Sequence, residues 1–306
     1  MNRSLTSFSI FVFGILHIVS VSSAFFDLPA FRREKEEVPD SPTKDFLHVK
    51  DLPNLTPKAA APSSYNKYEY HDDDENSSPH DDHDKPLEDL EYIVNSKVQQ
   101  WVAKDNTLAP ALLRLHFHDC AVRGCDGSVL LNDDGSERTA AVSKTLRGFE
   151  VIDDIKSEVE KNCPKTVSCA DILTAAARDA TVQAGGQYWA VDFGRKDGLV
   201  SIAEEAESMV PMGRESITDL IMFFQSLGLD IDDLVSLSGV LSTDQLLASD
   251  SRTSYIVETL ANNDGSYTFN QQFQKSMKKL GNVQVLTGRN QGEIRANCNF
   301  VNSAPY

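Results

Sequence analysis

The stretch LLRLHFHDCAVRGCDGS, residues 112–128, is the part of the sequence richest in side chains that could do chemistry. If it is helical, Arg114 and His118 are four residues apart and share one face, whereas His116 points nearly the opposite way. A guanidinium beside an imidazole lowers the pKa of the histidine below its ordinary value of about 6.5. A neutral His118 can accept a proton from a small substrate, and Arg114 can stabilise the negative charge that develops as a bond breaks.

Two other interpretations of these residues remain open. In the first, Arg114 pairs with a carboxylate and His118 is a hydrogen-bonded core residue. In the second, zinc is bound by His116, His118, Cys120 and Cys125. Against zinc, histidines two residues apart on a helix cannot reach one metal ion, and export favours a Cys120–Cys125 disulfide over thiolates.

A second pattern of potential ligands begins directly after His118. Two carboxylates, a hydroxyl and backbone carbonyls at these intervals in an irregular loop can form a cage of hard oxygen ligands, which suits Ca²⁺. An ordinary polar turn is the alternative. The five candidate ligands are Asp119, Val122, Gly124, Asp126 and Ser128.

Residues 1–24 predict a secretory signal peptide. Arg3 precedes an apolar run from Phe8 to Val21, and Ser22 and Ala24 are small residues at the −3 and −1 positions of a cleavage site. The run is too short and too rich in serine for a membrane span. We therefore expect an exported, soluble protein in which disulfides are permitted.

Residues 25–86 are rich in Pro, Asp, Glu, Ser and Lys, and they end in HDDDENSSPHDDHDKP. We expect a disordered or loosely attached acidic arm. His71, His80 and His83 lie among carboxylates that could bind a metal weakly, but a solvated linker is the simpler interpretation. The formal net charge of −17 argues against nucleic acid or an anionic membrane as a partner.

From Leu87 to the end of the chain, apolar residues follow the 3.6-residue helical period and strand signals are few. Ser168 with Asp171, and Ser216 with Asp219, have the spacing of helix capping boxes. The predicted fold class is therefore mainly α, with one domain over residues 87–306.

Six motifs, in this order, resemble the plant secretory (class III) haem peroxidases. They are RLHFHDCAVRGCDGSVLL, TLRGFEVIDDIK, CPKTVSCADIL, DLVSLSG, LSTDQ and GEIRANCNFVNS. The resemblance runs from about Leu87 to Ser303, apart from one gap. It implies a two-lobed, mainly α fold with haem b between the lobes, bound calcium, a monomer, and oxidation of phenolic donors by hydrogen peroxide in the apoplast or cell wall.

The resemblance also implies roles for individual residues. Arg114 and His118 resemble the distal arginine and the distal acid–base histidine, and Phe117 resembles the aromatic residue over the haem. Pro211 resembles the proline near the aromatic-donor site. The five loop residues match the family's distal calcium ligands one for one, and Glu137 matches a carboxylate that supports them.

The positions of the cysteines match the family's pattern less completely. Cys120–Cys125 and Cys169–Cys298 resemble two of its disulfides. The family's first cysteine is absent, which leaves Cys163 unpaired. The asparagine that usually orients the distal histidine is also absent, and Val142 or Ser143 stands in its place.

The largest departure is at Gly239–Val240, where LVSLSG runs directly into VLSTDQ. In the family, the proximal haem histidine, a second calcium site and two cysteines lie between these motifs. All seven histidines of this chain lie in its first 118 residues, so Asp244, which matches the carboxylate partner of the proximal imidazole, lacks that imidazole. We expect an incomplete proximal lobe and little or no activity from this chain.

Three explanations of this pattern follow. In the first, the true product includes the missing segment and is a working peroxidase. Alternatively, the chain is made as written and is a non-catalytic, calcium-dependent relative. In the third, it is made but does not fold, because the loss leaves a large apolar cavity.

Overall fold

The computed structural model describes residues 85–238, 244–261 and 265–302 of the chain. The predicted signal peptide and acidic arm lie outside this part, apart from Lys85 and Pro86. The first described helix begins at Lys85, two residues before the predicted start of the domain at Leu87.

In this described part the chain forms ten α-helices, three single-turn 3₁₀ helices and no β-strand, so the predicted mainly α fold class is confirmed. None of these helices combines the length and the apolar character that crossing a bilayer requires. The α-helices are α1 (Lys85–Lys104), α2 (Leu108–Ala121), α3 (Phe149–Asn162), α4 (Cys169–Gln183), α5 (Ala203–Met209), α6 (Ile217–Ser226), α7 (Ile231–Ser238), α8 (Asp244–Ser249), α9 (Ser254–Ala261) and α10 (Gly265–Leu280).

Helix α2 is the centre of the first half of the fold. It packs mainly against α4, and α1 packs across both α4 and α3. Leu112 on α2, Ile152 on α3 and Leu173 on α4 meet in this core and are fully buried. Because nearly every residue of α2 is buried, its polar side chains, Arg114 and His118 among them, are also removed from water.

The two predicted capping boxes have different outcomes. At α6 the box is complete, because Ser216 and Asp219 bond each other's backbone N–H groups. At α4 only half of it forms: Ser168 accepts from the backbone N–H of Asp171 at 3.0 Å. The Asp171 carboxylate instead accepts from the Arg195 guanidinium at 3.0 Å and from the backbone N–H groups of Gly194 and Arg195 at 2.8 and 3.3 Å, so its partners lie in a later segment and not at the N-cap.

Two disulfides hold irregular segments to this core. Cys120–Cys125 closes the loop after α2, and Cys169–Cys298 joins the first residue of α4 to a segment 129 residues later. Cys163, at the end of α3, is a free and partly exposed thiol. The long bridge ties the C-terminal segment to the helix that packs against α2.

Helices α7 and α10 are joined by a buried polar contact. The Asp233 carboxylate, which is fully buried, accepts from the Ser276 hydroxyl and from the Lys279 ammonium group, both at 2.7 Å. We call these three residues the α7–α10 clamp. In contrast, no residue of α9 is buried, and Tyr255 on this helix is 77% exposed.

Candidate active site

Arg114 and His118 lie one turn apart on α2, and each is 4% exposed. The Arg114 guanidinium donates to the Thr145 hydroxyl at 2.9 Å and to the Val142 carbonyl oxygen at 3.3 Å. Its Nε is buried and has no partner. No carboxylate pairs with Arg114 in the described part of the chain, so its positive charge is held in place by neutral groups.

Burial controls the ionisation of both side chains. It lowers the pKa of Arg114 to about 10, which leaves the guanidinium charged at neutral pH. Burial, with a smaller effect from Arg114, lowers the pKa of His118 to about 3. The four-residue spacing of Arg114 and His118 predicts that the pKa of His118 is lowered, but desolvation is the larger cause of this shift. A neutral imidazole therefore lies next to a positive charge that no anion neutralises, an arrangement suited to accepting a proton and stabilising an anion.

The Nδ1 atom of His118 is buried and has no hydrogen-bond partner among the described residues. Val142 belongs to a small apolar cluster with Val122 and Val210, and the Ser143 hydroxyl is buried without a partner of its own. Neither residue replaces the hydrogen bond that the family's asparagine supplies, so nothing among the described residues selects the tautomer of His118.

Phe117 connects α2 to α6. Its ring lies 6.4 Å from the ring of Phe223 and 6.3 Å from that of Phe224, centroid to centroid. Pro211 directly follows Val210, whose apolar cluster also contacts Phe117. An aromatic and apolar surface therefore lies beside the histidine, and the sequence hints at it only through the Phe223–Phe224 pair in an amphipathic helix.

His116 faces away from this pair and is 1% exposed. Its Nδ1 lies 3.7 Å from the Cys120 sulfur. The potential ligand atoms of His116, Cys120 and Cys125 lie within 4.8 Å of one another, but both sulfurs belong to the disulfide. A disulfide offers no thiolate, which removes the main ligands of the zinc interpretation.

The loop after α2 wraps around the Asp119 carboxylate. This carboxylate accepts from the backbone N–H of Gly127 at 2.9 Å, and that of Asp126 accepts from Ser128 N at 3.0 Å. The Ser128 hydroxyl lies close to the carboxylates of Asp126 and Glu137 but has no partner with hydrogen-bonding geometry. One Glu137 oxygen is likewise buried without a partner.

These carboxylates are strongly desolvated. Burial raises the pKa of Glu137 to about 8 and that of Asp126 to about 6. Burial and the nearby Asp126 also raise the pKa of Asp119 well above its usual range. A divalent cation would offset this repulsion and satisfy the unpartnered oxygens, so the residues fit calcium, with Asp119, Asp126 and Ser128 as side-chain ligands.

Several neighbours of this loop could not be recognised from sequence spacing. A Cβ atom added at Gly198 would lie 2.2 Å from the Asp126 carboxylate, so only glycine allows this approach. Ser201 donates to the Glu137 carboxylate at 3.3 Å. Both belong to the segment before α5, more than 60 residues away in sequence from the acidic groups that they contact, and only the tertiary fold brings them together.

Gly124 provides a test of how tightly this loop is packed. It has φ of +91°, and a Cβ atom there would lie 2.6 Å from the Gln284 Cβ and 2.7 Å from the Val283 carbonyl oxygen. We expect Gly124→Ala to lower the free energy of unfolding in urea by ~1–3 kcal/mol beyond the backbone strain alone. Gly135→Ala is the matched control, since Gly135 has φ of +80° and nothing within 4 Å. Equal costs for the two variants would contradict the prediction.

Comparison with known proteins agrees with this geometry. The family model described as Peroxidase matches residues 94–240. Peroxidase 7 of Arabidopsis thaliana is 43% identical over 296 residues, which cover 73% of this chain and 84% of that protein. Peroxidase 49 of the same plant is 34% identical over 290 residues, covering 69% and 87%.

Among solved structures, the TL29 protein from Arabidopsis thaliana resembles this chain with a TM-score of 0.53 and 18% identity. The match covers 67% of this chain and 96% of that one, and it supports the fold alone. The identity to Peroxidase 7 over most of its length carries the assignment: the chain belongs to the plant peroxidase family.

Proposed function

We propose that the gene's full product is a secreted peroxidase that oxidises phenolic donors with hydrogen peroxide, and that this chain retains only the half of the site that handles the peroxide. The observation that carries the proposal is the buried pair on α2. A neutral His118 can take a proton from hydrogen peroxide, and the unneutralised Arg114 can stabilise the anion that results. Few structural roles would keep a buried guanidinium without an anionic partner.

The residues of the described part do not fit haem in the way that a peroxidase holds it. A peroxidase needs an imidazole on the face of the iron opposite the acid–base histidine. The described residues contain two histidines, His116 and His118, and both are on α2. His116 packs against a disulfide, and Asp244, the carboxylate expected to support the missing imidazole, begins α8 without a histidine before it in the motif.

The alignment lengths support a missing internal segment. Peroxidase 7 aligns over 296 positions, whereas 73% of 306 residues is about 223, so about 73 positions of that relative have no counterpart here. The family match also ends at residue 240, at the Gly239–Val240 junction. Both observations agree with the loss of one block that includes the proximal histidine.

A second candidate function applies to the chain as it is encoded. In this case the chain is a non-catalytic, calcium-binding relative of the peroxidases. Desolvated Asp119, Asp126 and Glu137 favour it, because this cluster lies within α2 and the loops near it and does not depend on residues after the junction. The α7–α10 clamp supports a folded C-terminal part despite the junction.

Export is part of the proposal. Residues 1–24 would be removed as a signal peptide, leaving the acidic arm of residues 25–86 attached to the peroxidase domain, a monomer in the apoplast or cell wall. Two disulfides in the described part support an oxidising compartment.

Sequencing transcripts across the Gly239 and Val240 codons, together with the genomic DNA between them, tests the proposal. We expect an in-frame segment that encodes a histidine and restores about 70 residues, the length that the alignment with Peroxidase 7 lacks. If genomic DNA joins the two codons directly, the full-length peroxidase is excluded, which leaves the calcium-binding relative and the chain that does not fold.

A further inference from the structure

Arg123 lies in the loop after α2, between two of the residues expected to bind calcium, Val122 and Gly124. It has φ of +61°, in the left-handed region that residues with a Cβ atom rarely adopt. Gly124 follows with φ of +91°, a conformation that costs glycine little. Because the backbone torsion angles of Arg123 lie between the carbonyl groups of Val122 and Gly124, they set the direction of one carbonyl relative to the other.

A bidentate ion pair holds Arg123 from outside the loop. Its guanidinium donates through Nε and Nη2 to the two carboxylate oxygens of Glu205 on α5, at 2.6 and 2.7 Å. Two parallel bonds fix the direction of the planar guanidinium as well as its distance. Ala206, the next residue of α5, belongs to the same buried apolar cluster as Val122. Helix α5 is therefore bonded to the loop at Arg123 and packed into the cluster that contains Val122.

Global stability does not explain this ion pair. The side chains of Arg123 and Glu205 are 37% and 34% exposed, and ion pairs with that much exposure contribute little to the free energy of unfolding. Their effect should instead appear in the loop, where a small energetic preference favours or disfavours the left-handed backbone of Arg123. Ca²⁺ binds several oxygen ligands at once, so a preference for one loop conformation changes the affinity for calcium.

We propose that the Arg123–Glu205 ion pair positions the calcium loop: it keeps Arg123 in the left-handed conformation and so arranges the carbonyl groups of Val122 and Gly124 before the ion binds. Arg123 and Glu205 are positioning residues and not ligands. The ion pair increases calcium affinity because less ordering of the loop remains to be done on binding. This inference rests on the calcium site proposed above.

A direct effect of the Glu205 charge on the ion is the alternative. Glu205 adds to the raised pKa of Glu137, which burial mainly causes, so its charge acts inside the site. The two explanations differ when residue 123 is glycine. Glycine adopts φ near +61° without strain and needs no ion pair, whereas the charge of Glu205 would still act on the ion.

The test measures the calcium affinity of the full chain by competition with a fluorescent chelator, and its free energy of unfolding in urea without calcium. We expect Glu205→Gln to weaken calcium binding about 5- to 30-fold, the range set by the cost of a left-handed residue, with little change in stability without calcium. In an Arg123→Gly background, Glu205→Gln should change the affinity by less than about 2-fold. Arg123→Ala should bind calcium at least about 5-fold more weakly than Arg123→Gly.

Arg147→Gln is the matched control. Arg147 pairs with Asp105 at 2.5 Å, and the two side chains are 45% and 39% exposed, similar to those of Arg123 and Glu205. Since Arg147 and Asp105 lie outside the calcium loop, the loss of their ion pair should leave the calcium affinity unchanged.

Three results would overturn the inference. Equal calcium affinity in Glu205→Gln and the unaltered chain would refute it and leave the calcium site intact. An equal loss of affinity from Glu205→Gln in the Arg123→Gly background would also refute it, because Glu205 would then act by its charge alone. No calcium binding by the unaltered chain would refute both the inference and the calcium-binding function.

Discussion

Purified chain supplied with calcium and ferric porphyrin should oxidise guaiacol with hydrogen peroxide no faster than free porphyrin in the same buffer. Acid–base assistance alone is worth about 10²- to 10⁴-fold, and it requires His118 to remain free while another group holds the iron. The described residues offer no second imidazole for that purpose. We expect a rate at least about 10²-fold below that of Peroxidase 7 assayed side by side.

The informative control is the longer product that restores the segment between Gly239 and Val240. We expect it to recover turnover, and Arg114→Gln in that background to lose about 10²- to 10³-fold, because the guanidinium is the positive charge that acts on His118. Turnover by the chain as encoded within about 10-fold of Peroxidase 7 would show that the missing imidazole is dispensable, and it would contradict the proposal.

Removal of calcium has the second largest expected effect. A cation bound only by the folded state stabilises it by about 2.7 kcal/mol at a free concentration 100 times the dissociation constant. We expect a chelator to lower the free energy of unfolding by about 3 kcal/mol, because the binding free energy is lost and no cation then offsets the desolvation of Asp119, Asp126 and Glu137. Urea titrations with calcium and with chelator measure this difference.

Ser128→Ala is the sharpest variant for this test. The Ser128 hydroxyl is fully buried and has no partner, so its removal should change stability in chelator by less than about 0.5 kcal/mol while weakening calcium binding. Asp133→Asn, an exposed carboxylate outside the predicted ligand set, should behave like the unaltered chain. Identical calcium stabilisation in Ser128→Ala would remove Ser128 from the site, and no stabilisation in any form would exclude the site.

Local sequence pattern was sufficient for much of the fold. A hydrophobic run with Arg114 and His118 four residues apart predicts a helix with both on one face, and α2 has that geometry. The reciprocal cap of Ser216 and Asp219 is also local. At Asp171 local reasoning was only half correct, because Gly194 and Arg195, 23 and 24 residues later, occupy the carboxylate that the capping pattern assigns to the backbone N–H of Ser168.

The electrostatics of the site depend on tertiary structure that spacing does not encode. The pattern attributes the lowered pKa of His118 to Arg114, whereas burial of α2 on all sides is the larger cause. The neutral partners of the guanidinium, Thr145 and Val142, come from a segment about 30 residues away. Gly198 approaches Asp126 from a loop that carries no recognisable signal in the sequence.

The α7–α10 clamp joins the two sides of the Gly239–Val240 junction. Asp233 lies before the junction, and Ser276 and Lys279 lie well after it, so in the chain as encoded the last helix is docked without any further segment between them. We therefore expect a transcript that skips a segment at this point to encode a shorter product with an anchored C-terminal helix.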